Sequence, residues 1–146
     1  MMTLEEQKLL EEIYRGSQNI QKDIHTVLGK VWDDELALDL NCQAAGYARM
    51  KERAEDHLLS SGMMPDNTGM LEKTRRWAEL QLSTALNVST GHIASLIRDA
   101  EKESLGKMEE LLKDTSVFHS KVYELAEEFR EFEKKNLRIL NSYELC

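Results

Sequence analysis

Proline is nearly absent from this sequence, with one in 146 residues, and glycine is sparse at seven. Few breakers leave long uninterrupted helices open. There are two cysteines, Cys42 and Cys146, and they form no CxxC pair, so a disulfide framework is excluded. Aromatic residues make up only 6%. No run of 18 apolar residues occurs, which excludes an ordinary spanning helix. Basic residues are in deficit: 19 Lys and Arg stand against 27 Asp and Glu, a formal charge of −8. A general nucleic-acid binder needs a basic face. The adjacent pairs Arg75-Arg76 and Lys134-Lys135 are too little to supply one. A composition of 41% hydrophobic and 32% charged residues is enough to bury a core, so wholesale disorder is excluded. The length fits one domain, residues 1–146.

Chemical signatures are missing too. The sequence has no H-E-x-x-H, no EF-hand loop, no phosphate-cradling glycine motif and no G-x-S-x-G. The opening MMTLEEQKLL shows no basic stretch followed by an apolar run, so no secretory signal is visible. The expected setting is a reducing cytoplasm. The acceptor pattern Asn87-Val88-Ser89 is then a chance match, and the ending ELC lacks the layout of a prenylation box.

What the sequence does contain is helical spacing. Leu10, Ile13, Ser17, Ile20, Ile24, Val27 and Val31 repeat at steps of three and four, predicting a helix over about 4–31. Thr3 and Glu6 form a capping box at its start, and Gly29 is a weak spot near its end. A second helix over about 34–60 follows from Leu36, Leu40, Gln43 or Ala44, Tyr47, Met50, Ala54 and Leu58, with Asp33 or Asp34 as its cap. Residues 62–69 hold the single proline and read as a loop. Helical spacing then persists to about residue 113. Poor helix formers at Asn87-Val88-Ser89-Thr90-Gly91 divide this stretch into helices over about 70–87 and 90–113, one long helix being the alternative. The expected stripes are Met70, Thr74, Trp77, Gln81 and Ala85, then Ile93, Ile97, Ala100, Ser104, Met108 and Leu111. A last helix over about 116–143 carries Phe118, Val122, Leu125, Phe129, Phe132, Asn136, Ile139 and Tyr143, with Glu131 and Lys135 spaced to pair on its outer face. The matched lengths predict an all-α, antiparallel four-helix bundle with a helical connection between the second and third main helices.

Three stretches carry a family resemblance: Trp77-Ala-Glu-Leu-Gln, Asn87-Val-Ser-Thr-Gly-His92-Ile-Ala94 and Glu131-Phe-Glu-Lys-Lys-Asn136. With the layout, they make the chain, mainly over 77–136, similar to uncharacterised ferritin-like four-helix-bundle proteins of Firmicutes. That resemblance implies a ferritin-like fold and no assigned activity. The wider superfamily includes di-iron oxidases, iron stores and members without metal.

Metal chemistry in such a bundle needs carboxylates from four helices, two of them in Glu-x-x-His. Three residues before His25, His57, His92 and His119 stand Lys22, Ala54, Ser89 and Ser116, so no such motif exists. Atypical ligands would require Glu52, Glu55, Glu101, Glu124 and Glu127 to converge, and the pairs Glu52/Glu55 and Glu124/Glu127 fall mainly on outer faces. No metal ligand, cofactor or catalytic residue is therefore assigned.

The remaining polar residues have ordinary readings. Cys42 is expected as a small core or boundary residue, and Cys146 as an exposed tail thiol. Asn136 interrupts the last stripe and is expected to fix register. His92 belongs to a cap region, and Gln43 and Tyr47 are expected to bond within the bundle. Trp32 and Trp77 are expected under the connecting segment. Met63, Met64 and Met70 flank the loop as packing, or as an adaptable contact surface. Short residues at Ser17, Ala100 and Ser104 leave a carrier with a core cavity as a further alternative. The leading expectation is a non-enzymatic bundle that acts through self-association or a protein partner, without nucleic acid or membrane.

Overall fold

The computed structural model describes residues 2–67, 69–113 and 120–143. The protein is all-α. Its described residues form five helices: α1 Leu4–Leu28, α2 Asp34–Ser60, α3 Met70–Leu86, α4 Thr90–Lys113 and α5 Lys121–Asn141. No described helix is long and apolar enough to cross a membrane.

Helix ends follow their capping chemistry. Thr3 Oγ1 accepts from the Glu6 amide at 3.1 Å, and Glu6 Oε1 accepts from the Thr3 amide at 2.9 Å. Two amides that a helix start leaves unbonded are thereby satisfied. Asp33 caps α2 through the Leu36 amide at 2.9 Å. α1 stops at Leu28 rather than at 31, because Gly29 and the tight turn after it take over the chain. α5 starts at Lys121 rather than at 116, with Ser120 accepting from the Tyr123 amide at 3.1 Å. Residues 116–119, including the expected stripe member Phe118, and Cys146 lie outside the described residues. The helical stretch after residue 70 does break at Asn87, whose backbone is extended and whose side chain accepts from the Ser89 amide at 2.9 Å.

Helices α1, α2, α5 and α4 pack in a ring in that order, and α1 also packs on α5 across it. α2 and α4 are thus diagonal to one another. The shared core holds Leu10, Ile13, Ile20, Ile24 and Val27 of α1, Leu36, Leu40, Tyr47 and Leu58 of α2, Ile93, Ile97 and Met108 of α4, and Leu125, Phe129 and Leu140 of α5. Burying each such side chain is worth about 1.5–3 kcal/mol, so these stripes outweigh caps and surface ion pairs. Beyond α5's last turn, Tyr143 donates to Asp39 at 2.5 Å and ties that end to α2. On α5's outer face Glu131 meets Arg130 and Lys134, not the expected Lys135.

α3 departs from expectation. It packs on α1, but of the expected inward stripe Met70, Thr74, Trp77 and Ala85 face solvent, Met70 81% and Trp77 55% exposed, and Gln81 is half-buried. Leu80 and Thr84 are its buried residues. The line Lys73, Arg76, Leu80 and Thr84 faces α1 instead. Lys73 Nζ donates to Gln18 Oε1 at 3.1 Å, Arg76 pairs with Asp23 at 3.2 Å, and Lys30 Nζ donates to Thr84 Oγ1 at 2.6 Å and to Gln81. These polar contacts set the rotation of α3 and leave its apolar residues outward. Trp32, expected under this segment, is 85% exposed. Cys42, expected in the core or at its boundary, is exposed as well.

Candidate functional site

The site grows from two glutamates that apolar patterning passed over. On α4 the buried series runs Ile97, Glu101, Ser104, Met108. On α5 it runs Phe129, Glu133, Asn136, Leu140. Both follow steps of four, three and four, so the helix turns Glu101 and Glu133 inward as regularly as their apolar neighbours. Both glutamates are fully buried, at 0% exposure. The expected stripe members Ala100, Leu111, Phe132 and Ile139 are only half-buried.

Tyr47 of α2 joins the two acids. Its hydroxyl lies 3.0 Å from Glu101 Oε2 and 2.9 Å from Glu133 Oε2. Its ring packs edge-on to Phe129 and Phe132, at centroid distances of 6.2 and 4.8 Å. Phe132 reaches this position because α2 presents Gly46, where a Cβ would stand 2.5 Å from Phe132 Cζ. Ser104 Oγ donates to Glu133 Oε1 at 3.0 Å. It in turn sits close to α1 at Gly16, where a Cβ would stand 2.8 Å from the hydroxyl. Gln43 Nε2 donates to the Asn136 carbonyl at 3.4 Å. Gln43 and Tyr47 thus bond within the core, as expected.

Burial pushes both carboxyls up. Glu133 rises to about 8, with the hydrogen bonds from Ser104 and Tyr47 only partly opposing the loss of solvent. Glu101 is driven well above the usual carboxylate range, first by burial and then by the Glu133 charge, with Tyr47 opposing. The Tyr47 phenol is raised by burial and by both glutamates. Asn136 lies near enough to Tyr47 and Glu101 to favour their charged forms, yet its Nδ2 makes no well-formed hydrogen bond. Ser17 Oγ, Gln43 Oε1 and Glu101 Oε1 are also buried without a hydrogen-bond partner.

The hydrogen count fixes the protonation. A phenol has one proton to give. Two short contacts from one hydroxyl to two carboxyls therefore require a proton on one of the acids. Glu133 is bonded on both oxygens, by Ser104 and Tyr47, so of the two it is the one built to ionise first. Glu101 has one free oxygen and is placed to be the neutral acid, donating from Oε2 to the phenol.

The atypical carboxylates do not converge. Glu52 and Glu124 are exposed, and Glu55 and Glu127 are half-buried, Glu127 pairing outward with Arg130 at 2.8 Å. Glu101 alone of that set turns inward, and its partner Glu133 was not among the candidates. Where a two-metal carboxylate centre needs acids from α1 and α2, the chain presents Ser17 and Tyr47, so these residues do not fit one. Among the described residues no group of three or more His, Cys, Asp or Glu is placed to hold a metal ion. His92 bonds Ser83 at 2.8 Å and joins α3 to α4 at their junction.

A cleft of about 650 Å³ opens between α1, α3 and α4. Gly16, Ala100 and Ser104 line it, below a mixed rim that includes Lys22, Lys73 and Asp99. Ser104 therefore touches both the cleft and the buried acid. Ser17 does not line it, so the open space is a surface cleft beside the core rather than the cavity that the short residues suggested. No family model matches the chain, and neither a curated protein nor a solved structure matches it.

Proposed function

We propose that this chain is a non-enzymatic helical-bundle protein that acts by associating with a second copy of itself through the outer face of α3. The fold is read as an antiparallel, ferritin-like four-helix bundle of α1, α2, α4 and α5, with α3 as the connection between the second and third main helices. The ring of packed helices supports that reading. The working compartment is taken as a reducing cytoplasm.

The observation that carries the proposal is the apolar line on α3. Leu71, Leu82 and Leu86 are 85%, 67% and 83% exposed. With exposed Ala78 they fall at steps of seven, four and four, on one face of the helix. Exposed leucines aligned on one helix face, here interrupted by Arg75, mark an interaction surface, whereas scattered exposed leucines do not.

Charge favours a second copy as the occupant. Two chains of −8 repel over most of their surfaces. On α3 the exposed face carries Arg75 in its first half, and its last turn carries no basic residue. In an antiparallel pair, Arg75 of one α3 meets the carbonyl end of the other, where the helix dipole is negative. The leucines close the seam between them.

Leu82→Glu with Leu86→Glu tests this. Both side chains face solvent in the single chain, so at low micromolar concentration the change leaves the thermal midpoint and helical content near those of the parent. Light scattering after size exclusion is expected to show the parent as a dimer at tens of micromolar and the variant as a monomer. A parent chain that stays monomeric at high concentration contradicts the proposal.

A further inference from the structure

We infer that Glu101, Tyr47 and Glu133 form a proton-loaded latch across the core, which holds α2 against α4 and α5 and loosens when its last acid proton leaves through Ser104. The inference does not depend on self-association.

The geometry carries it. Tyr47 and Glu101 connect helices that are diagonal in the ring, so this contact crosses the whole core rather than joining neighbours. Tyr47 and Glu133 add the contact from α2 to α5. One phenol proton cannot satisfy two carboxylates, so the junction is complete only while one glutamic acid keeps its proton. When that proton is lost, two anions face one hydroxyl inside the core. Like charges at that range in a poorly solvated interior cannot both persist without movement or water entry.

Few other charges bear on the pair. From α1 comes Glu12, which adds repulsion at Glu133 and is itself paired to Arg15 at 2.5 Å. From α2 comes the Tyr47 phenol, beside the uncharged Gln43. α4 and α5 contribute the two acids themselves, with Ser104 and Asn136. Among the groups that shift either carboxyl there is no cation to stabilise a second negative charge. The proton has a route out: from Glu101 across the Tyr47 hydroxyl to Glu133, and from there by the Ser104 hydroxyl, which bonds Glu133 and lines the cleft.

The sign follows from linkage. Both acids hold protons more tightly when folded than when unfolded. The Glu133 contribution is fully present below the ordinary glutamate value of 4.5 and is lost as pH rises through about 8, and Glu101, held higher by the Glu133 charge, gives up the last proton after it. At pH 6.5 the unfolded chain has released protons that the folded chain retains, so unfolding releases them.

The test measures thermal midpoints from pH 5.5 to 8.5 for the parent, Glu101→Gln, Glu133→Gln and the double variant. Contributions shared by all four proteins cancel in the differences. The parent midpoint is expected to fall with rising pH by on the order of 5 °C per unit relative to the double variant, with each single variant intermediate. An identical pH slope in parent and double variant overturns the latch. Infrared spectroscopy of the parent gives a readout that no folding failure can obscure. At pH 7 the carbonyl stretch of a protonated carboxyl is expected and should vanish at alkaline pH, whereas its absence at pH 7 overturns the proposal. Tyr47→Phe, which keeps the ring and removes the hydroxyl, is expected to retain that band while shifting its frequency. An unshifted band places the protonated acid away from Tyr47 and also overturns it.

Discussion

Tyr47→Ala is expected to remove on the order of 5 kcal/mol of stability, which approaches the whole stability of a small domain. Two losses add. The ring is fully buried between Phe129 and Phe132, and its removal leaves a cavity that two aromatic neighbours on α5 cannot both collapse into. The hydroxyl is the shared partner of Glu101 Oε2 and Glu133 Oε2, and removing it leaves both oxygens buried and unbonded. Urea unfolding at pH 6 is expected to show either a very early midpoint or no folded baseline. A loss below about 2 kcal/mol, the scale of a simple surface or boundary change, contradicts the packing described here.

Leu80→Asp gives the second large effect, of a different kind. Leu80 is α3's one large apolar side chain buried against α1, at 1% exposure. Its replacement puts a carboxylate into the buried contact, where the nearby cations Arg76 and Lys30 are already bonded to Asp23 and to Gln81 and Thr84, at a cost of several kcal/mol if α3 stays docked. Yet α3 is held otherwise by polar contacts at Gln18, Asp23 and Lys30. The helix undocks before that full cost is felt. The expected result is loss of about one helix's worth of circular dichroism and rapid exchange over residues 70–86, with cooperative unfolding of α1, α2, α4 and α5 retained. Loss of the entire fold would contradict the peripheral place of α3.

These two residues also show how far the sequence could be read. Tyr47 belonged to an unbroken stripe on α2, and every member of that stripe is buried, Gln43 and Ala44 alike. Apolar spacing works there because nothing competes with it. On α3 it fails, because Lys73 and Arg76 find partners on α1 and Thr84 finds Lys30 just after it, and a patterned helix turns toward the surface that bonds it. On α4 and α5 the period was right but the filter was wrong. Choosing the apolar neighbour at each step selected Ala100 and Phe132 and bypassed Glu101 and Glu133 by a single residue. The signal was present: the series 97, 101, 104, 108 and 129, 133, 136, 140 run unbroken once charge is ignored. Sequence alone could not say that Tyr47, far away on α2, would supply the hydroxyl that makes two buried acids tolerable.

Two features of the molecule thus lie on different surfaces. The acid pair is internal, and Ser104 connects it to the cleft. The leucine line on α3 is external, and the proposed function rests on it. Hydrogen exchange of the α3 amides at two protein concentrations tests that function most directly. At low micromolar concentration α3 is expected to exchange quickly, since Leu80 and Thr84 are its buried anchors. At several hundred micromolar the amides of residues 71–86 are expected to become at least tenfold better protected, while α1 and α2 stay unchanged. Protection of α3 that is the same at both concentrations would contradict self-association through this face.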